Sequence, residues 1–206
     1  RNMIINGAMQ VAQRGTSSTV DGYGTVDRFK MNLSGNDENP TQAQHALTSS
    51  DTGPYEEGFR YSFHITNGNQ TSGANAGDRI VFGYLIEAQD MAMSGWDYTS
   101  SSSYITLSFW CKSSVAQNFY GRLYTYDGTS QGYVFETGSL SANTWTKVTK
   151  TIPGNSNLTF DKNANAGLLI EFVMFRGTNS TGSMSLDTWG AFNTSVRVPD
   201  MTSTWY

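Results

Sequence analysis

Apolar and polar residues alternate along most of this chain, and such alternation is typical of β-strands that bury one face. Segment 104–112 shows the pattern best. Its first set of alternate residues is predicted to face a core and comprises Ile105, Leu107, Phe109 and Cys111. The second set is predicted to face outward and comprises Thr106, Ser108, Trp110 and Lys112. Because helical periodicity is nearly absent, the pattern predicts an all-β fold.

Further strands are predicted between turn signals such as Asn67-Gly68 and Asp127-Gly128. These strands are residues 58–65, 79–87, 119–126, 132–137, 144–152, 167–176 and 184–192. Many short strands separated by turns are typical of a two-sheet antiparallel β-sandwich, and the jelly roll is the version we prefer.

Two stretches deviate from the strand pattern. Residues 35–53 are polar and turn-like, and we interpret them as a loop or a short edge strand. Residues 89–103 are rich in Ser and are expected to contain one helical turn. Because neither an internal repeat nor a linker is visible, we expect residues 1–206 to form a single β-sandwich domain. The first residue is Arg1 rather than an initiator Met, so we expect a piece of a longer polypeptide.

Composition narrows the range of partners. Charged residues make up 15% of the chain, against about 25% in ordinary soluble domains. The net charge is −4 and the 13 Lys and Arg residues are scattered, so we expect no nucleic-acid partner. No apolar stretch approaches the roughly 18 residues of a membrane span, so we expect no membrane insertion. Cys111 is the single cysteine of the sequence and cannot form an internal disulfide.

The start of the chain carries a recognisable motif. Residues 2–15 read NMIINGAMQVAQRG and residues 24–29 read GTVDRF. This pairing resembles a pattern of bacteriophage tail-fibre and appendage proteins, in which the domain that follows is similar to the jelly roll of carbohydrate-binding modules. The resemblance continues in residues 84–87, 107–110 and 140–153.

The resemblance implies that residues 1–30 are an entry segment and first strand, that fibres assemble as homotrimers, and that Trp145 is structural. The family usually ends in a last strand with a G-V-Q-L-E type motif, whereas this sequence stops at Trp205-Tyr206. Either a final strand is missing or it differs here, and a missing strand would expose a sheet edge.

Glycan recognition needs exposed aromatic rings beside hydrogen-bonding groups, because sugars have apolar faces that stack on flat side chains. If segment 119–126 pairs with segment 104–112 as a hairpin, their outward faces would form one surface. That predicted ligand-binding surface comprises Trp110, Lys112, Tyr120, Arg122, Tyr124 and Tyr126. The plainer alternative is that these aromatic residues stiffen the sheet as cross-strand pairs or pack under a loop.

A second candidate site lies in the Ser-rich stretch and comprises Asp90, Trp96, Asp97 and Tyr98. Loops on rigid scaffolds often carry recognition. The alternative is that Trp96 closes one end of the sandwich as a plug. For Trp189, we favour a place in the core.

Candidate catalytic groups are few. The two histidines, His45 and His64, exclude a three-His metal site. Cys111 is expected to behave as a small hydrophobe. Glu87 and Glu171 could serve as the carboxylate pair of a glycosidase, although each also has a plainer interpretation as a strand-end group or a partner of Arg79 or Arg176. We therefore expect a non-catalytic protein without a cofactor.

A structural calcium ion stays open as an alternative, because jelly-roll carbohydrate modules often hold one through oxygen ligands. The available carboxylates are Asp21, Asp27, Asp187 and Asp200, but no calcium-loop pattern joins them.

Three functions remain in order of preference. The first is a host-recognition module of a phage fibre, located on the virion surface outside the cell, that binds bacterial surface polysaccharide through stacked aromatic residues. The second is a purely structural fibre knob or capsid-decoration protein, with its rings at subunit contacts. The third is an enzyme that degrades capsule.

Overall fold

The computed structural model describes residues 2–206, and nearly all of the regular secondary structure in this part of the chain is antiparallel β-strand. The strands are β1 (Ser17–Ser18), β2 (Phe29–Ser34), β3 (Thr41–Ala46), β4 (Tyr61–Thr66), β5 (Arg79–Glu87), β6 (Tyr104–Cys111), β7 (Gln117–Thr125), β8 (Gln131–Leu140), β9 (Thr146–Pro153), β10 (Ala166–Arg176) and β11 (Trp189–Ala191). A short helix, α1 (Ala88–Ala92), follows β5, and a 3₁₀ turn (Thr178–Ser180) follows β10.

The strands form three sheets. The largest has six strands in the order β11-β8-β7-β10-β5-β2, the second has the order β1-β3-β4, and the third pairs β6 with β9. Within each sheet, all neighbouring strands are antiparallel.

A chain of phenylalanine contacts shows how the sheets stack. Phe63 on β4 stacks on Phe82 of β5 at a centroid distance of 4.8 Å. Phe82 stacks on Phe172 of β10, and Phe172 meets Phe109 of β6 edge-on, both at 4.9 Å. Strands of both smaller sheets therefore cover the same face of the six-stranded sheet. The fold is all-β and sandwich-like, with its main core between these layers.

The other face of the six-stranded sheet is partly covered by the segment that follows β10. Val198 of this segment is fully buried against three valines on β5, β8 and β10, namely Val81, Val134 and Val173. The rest of this outer face stays uncovered and forms the groove described below. At the end of the chain, Tyr206 stacks on Phe175 at 4.3 Å and its hydroxyl donates a hydrogen bond of 2.8 Å to Asp78. Phe175 lies opposite Ile80 of β5, so this contact is on the face of the sheet opposite the groove.

The predicted hairpin between segments 104–112 and 119–126 is wrong. Strand β6 pairs along its whole length with β9, from Tyr104 opposite Pro153 to Cys111 opposite Thr146. Both edges of β7 are occupied, one by β8 and the other by β10. Since β6 places Leu107 and Phe109 against the core from the opposite layer, it cannot lie in the same sheet as β7.

Most of the other strand predictions agree with the structure. Strand β5 has the bounds predicted from the sequence, and the strands from β6 to β10 agree within a few residues. The strand predicted at 184–192 is wrong except for Trp189–Ala191, because the preceding residues instead cover the outer face of the six-stranded sheet. The expected helical turn within residues 89–103 is the end of α1.

The polar stretch at 35–53 contains a complete strand, β3, which is flanked on both sides rather than lying at an edge. Its buried residue is Gln42, which is completely inaccessible to solvent. The Gln42 side-chain amide donates to the carbonyl oxygen of Val20 at 2.8 Å, and its amide oxygen accepts from the Thr25 hydroxyl at 3.1 Å. Because the buried position of this strand is occupied by a hydrogen-bonded glutamine and not by an apolar residue, the alternation of apolar and polar residues did not predict the strand.

Among residues 2–206, no helix combines the length and apolar character needed to cross a bilayer.

Candidate functional site

A groove of about 340 Å³ lies on the uncovered part of the outer face of the six-stranded sheet. Strands β2, β5, β7 and β10 form its floor, and residues that follow β11 form one wall. The side chains that decide its chemistry are Tyr23, Lys30, Arg122, Tyr124, Tyr126, Glu171, Arg176, Phe192 and Arg197. Its size is within the range of small-molecule sites.

Three buried charged residues form the floor of this groove. Arg122 on β7 lies directly opposite Glu171 on β10. Its guanidinium donates from Nε to Glu171 Oε1 at 2.7 Å and from Nη2 to Oε2 at 3.3 Å, so the pair is bidentate. Arg176 Nη2 donates a further hydrogen bond of 2.8 Å to Glu171 Oε1. One carboxylate therefore holds two guanidinium groups.

A β-bulge brings Arg176 to this face. Residues 171 and 176 are an odd number of positions apart, so a regular strand would point them to opposite faces. The register of β10 against β5 shifts between Val173 and Phe175, which puts Arg176 back on the face of Glu171. Bulges of this kind commonly redirect a side chain near a functional site. The sequence interpretation of Glu171 as a partner of Arg176 is confirmed.

The electrostatics keep this cluster ionised. Burial alone would raise the pKa of Glu171, but the charges and hydrogen bonds of Arg122 and Arg176 outweigh it and hold that pKa below its ordinary value. Burial lowers the pKa of Arg176 to about 10, against the opposing attraction of Glu171 and together with repulsion from Arg122. At neutral pH the floor carries two positive charges and one negative charge.

Aromatic rings stand beside the charged floor. Tyr124 lies 4.3 Å from the ring of Phe192 and 4.7 Å from that of Tyr126. Its hydroxyl is 3.2 Å from Ser130 Oγ. Tyr126 and Tyr23 are 44% and 43% exposed, so a ligand can reach the rings of both.

The structure does not bring all six residues of the first predicted binding surface together. Arg122, Tyr124 and Tyr126 line the groove together, as their alternation predicted. Tyr120 lies on the same face of β7 but packs under the segment that follows β10, beside Val134 and Val173.

Trp110 on β6 and Lys112, which directly follows that strand, lie elsewhere, in the layer formed by β6 and β9, where they support the loop 51–57. The Trp110 indole donates to Glu57 at 3.0 Å, and Lys112 donates to Asp51 at 3.0 Å. Gly53 sits so close to the Trp110 ring that a Cβ there would lie 2.6 Å from it. For Trp110, the alternative of packing under a loop is confirmed.

The second predicted site consists mainly of packing contacts. Trp96 is only 8% exposed and belongs to the core, as the plug interpretation predicted. The Tyr98 ring packs edge-on against Phe160 at 5.0 Å, while Asp97 is exposed and accepts a hydrogen bond from Thr99. Asp90 lies in α1.

The two remaining tryptophans, Trp189 and Trp145, pack within the fold and donate hydrogen bonds to other parts of the chain. Trp189 lies in the core, which confirms its sequence interpretation, and its indole donates to the carbonyl oxygen of Pro153 at 2.7 Å. Trp145 is half-buried and donates to Asp51 at 2.9 Å.

Of the nine side chains that decide the chemistry of the groove, four were not singled out by sequence reasoning: Tyr23, Lys30, Phe192 and Arg197. Lys30 alternates with the buried residues Phe29 and Met31, so the sequence could have predicted that its side chain points outward. The sequence could not have predicted that Lys30 lies beside β5. The approach of Phe192 and Arg197 depends on the path of an irregular segment, which no periodicity describes.

The candidate metal ligands are engaged separately. Asp21 accepts from the Leu33 backbone, Asp27 from Gln13, and Asp200 from Thr181, while Asp187 pairs with Lys150. Across residues 2–206, no group of three or more His, Cys, Asp or Glu side chains is placed to hold a metal ion.

Burial raises the pKa of the Cys111 thiol to about 11.

Comparison of this chain with models of protein families, with curated proteins and with solved structures gave no significant match.

Proposed function

We propose that this chain is a non-catalytic glycan-binding module and that the groove on the six-stranded sheet is its binding site. The observation that carries the proposal is the combination of exposed rings with hydrogen-bonding groups in one cavity. Tyr23 and Tyr126 offer accessible aromatic faces, while Lys30 and Arg197 offer donors beside them.

The physical chemistry of sugars matches this combination. The apolar face of a pyranose ring stacks on a tyrosine, and its hydroxyl groups exchange hydrogen bonds with polar side chains around it. The rings of Tyr124, Tyr126 and Phe192 support one another through contacts of 4.3–4.7 Å. A preformed surface of this kind loses little conformational entropy when a ligand binds.

A binding role fits the carboxylate in the groove better than catalysis does. The general acid of a glycosidase needs a raised pKa so that it stays protonated at neutral pH. Glu171 has a lowered pKa and both of its oxygens already accept hydrogen bonds from arginines. Glu87, the other carboxylate considered for hydrolysis, accepts a hydrogen bond from Gln89 at 2.8 Å.

The biological setting of the proposal comes from the sequence resemblance. The motifs at residues 2–15 and 24–29 resemble those of phage tail-fibre and appendage proteins, and the sandwich-like all-β fold agrees with that resemblance. The module is accordingly a jelly roll on the virion surface, outside the cell, with bacterial surface polysaccharide as its ligand. It binds its ligand without a cofactor.

The module forms a homotrimer in this proposal, as fibres of this type do. Exposed apolar side chains near the start of the chain support a contact between copies: Ile5, Val11 and Val20 are 55%, 43% and 60% exposed. Three weak sites on one assembly would bind a repetitive polysaccharide far more tightly than one site, because the later contacts become intramolecular.

A glycan array of bacterial and algal polysaccharides tests the binding function. We expect the purified chain to bind at least one polysaccharide, and Tyr126→Ala to weaken that binding about tenfold through lost stacking. Tyr104→Ala is the matched control, because Tyr104 is 57% exposed on β6, away from the groove.

The array can also contradict the proposal. A folded chain that binds no polysaccharide would refute it, and equal losses from Tyr126→Ala and Tyr104→Ala would place the site elsewhere. Loss of exposure of the Tyr126 ring on assembly, without any glycan binding, would instead support the structural fibre knob.

A further inference from the structure

The groove has a charge opposite to that of the whole chain. The chain has a net charge of −4. Among the described residues that line the groove, however, there are four cations and one carboxylate: Lys30, Arg122, Arg176, Arg197 and Glu171. A concave site lined by one sign of charge attracts ligands of the other sign. A neutral sugar would leave most of this charge uncompensated.

The deepest cation has an unused donor. Arg176 is 3% exposed, and its Nε is buried without a hydrogen-bond partner among the described residues. A buried donor without a partner costs free energy that a suitable acceptor would recover. The acceptor within reach, Glu171, is already shared with Arg122. A second anion from outside would therefore complete the coordination of this guanidinium.

Arg197 adds a second positive group at the wall of the groove. It is half-buried, its Nε donates to the carbonyl oxygen of Thr194 at 3.2 Å, and its guanidinium lies 5.5 Å from the centre of the Phe192 ring. Burial and the nearby charge of Arg122 lower the pKa of Arg197. Burial is the larger of these two causes, and the repulsion from Arg122 acts in the same direction.

The planar guanidinium is the side chain best suited to oxyanions, because its parallel N–H groups match the oxygens of carboxylate, sulfate and phosphate. Accessible rings beside these donors, from Tyr23 and Tyr126, suit the body of a sugar. A ligand that satisfies both features is a sugar with a charged substituent.

We infer that the groove selects anionic saccharides, whose carboxylate, sulfate or phosphate group binds against Arg176 and Arg197 while the sugar ring packs on the tyrosines. This inference deepens the proposed glycan-binding function and rests on it.

The test compares monosaccharides that share the galactose ring and carry either an uncharged or an anionic group at C6. Protein with ¹⁵N-labelled arginine is titrated with galactose, galacturonate, galactose 6-sulfate and galactose 6-phosphate at constant ionic strength, and the guanidinium Nε–H resonances are followed by NMR. We expect the resonances of Arg176 and Arg197 to shift with at least one charged sugar and not with galactose. The three charged sugars distinguish the anionic groups from one another.

A variant localises the effect. Arg197→Gln should weaken binding of the charged sugar roughly tenfold, because it removes one charge-assisted contact. Arg60→Gln is the matched control, since Arg60 lies on the Tyr55 ring at 4.1 Å and does not line the groove. Binding should also weaken as salt is added, because salt screens the attraction between the anionic sugar in solution and the positive groove.

Several outcomes would overturn the inference. These are equal shifts with galactose and galacturonate, no shift with any of the charged sugars, and shifts that inorganic sulfate reproduces in full. The glycan array separates this failure from that of the proposed function: binding to neutral polysaccharides alone would keep the function and refute the charge selectivity. Binding of charged monosaccharides without any polysaccharide binding would refute the function and keep the anion site.

Discussion

At the residue scale, the contact between Gly121 and Phe135 shows how tightly the core is packed. Gly121 on β7 lies opposite Phe135 on β8, whose ring is fully buried. A Cβ added at Gly121 would lie 2.2 Å from that ring, closer than any real contact. The ring therefore occupies the space that a side chain would need.

Replacement of this glycine should destabilise the fold. We expect Gly121→Ala to lower the free energy of unfolding by about 1–3 kcal/mol, since the ring must leave its position to make room. Urea denaturation followed by fluorescence measures the change. Gly190→Ala on β11 is the control, because no atom lies within 4 Å of a Cβ there. Similar stabilities for the two variants would show that the Phe135 ring moves without cost.

At the element scale, the loop 51–57 is held to the sheet of β6 and β9 by two carboxylates. The Thr48 backbone, Trp145 and Lys112 all donate to Asp51 and lower its pKa. Lys147 and Trp110 do the same for Glu57. A lowered pKa in the folded state means that these contacts stabilise the loop at neutral pH.

This arrangement predicts that the loop loosens in acid. The stabilisation is complete above the unfolded pKa values of about 4 and is lost as pH falls through the lower folded values. The indole N–H signals of Trp110 and Trp145 in NMR should therefore move toward free values below about pH 4. Asp51→Asn should show part of that shift already at neutral pH, whereas signals insensitive to both changes would contradict the prediction.

At the scale of the whole molecule, the proposed trimer can be tested through the exposed apolar residues near the start of the chain. If Ile5 and Val20 lie at a contact between copies, the double variant Ile5→Asp with Val20→Asp should dissociate the assembly, because buried unpaired charges are costly. Sedimentation equilibrium measures the mass. Met93→Asp is the control, since Met93 is 63% exposed in a different part of the fold. A wild-type chain that stays monomeric at every concentration would refute the trimer.

Along each strand, the alternation of residue types was enough to predict which side chains point the same way. Ile105, Leu107 and Phe109 face the core together, and Arg122 and Tyr124 reach the groove together. These predictions succeed because side-chain direction alternates along an extended backbone, which is a local property. The same alternation allowed the all-β fold class to be predicted from the sequence.

Which strands are neighbours became known only from the folded structure. It separated Trp110 from Tyr124 by placing β6 beside β9, and it brought Arg176 to Glu171 through a bulge in β10. It also carried Phe192 and Arg197 to the groove from an irregular segment. Strand pairing depends on how distant apolar faces cover one another, and the alternation within a single strand carries no information about that choice.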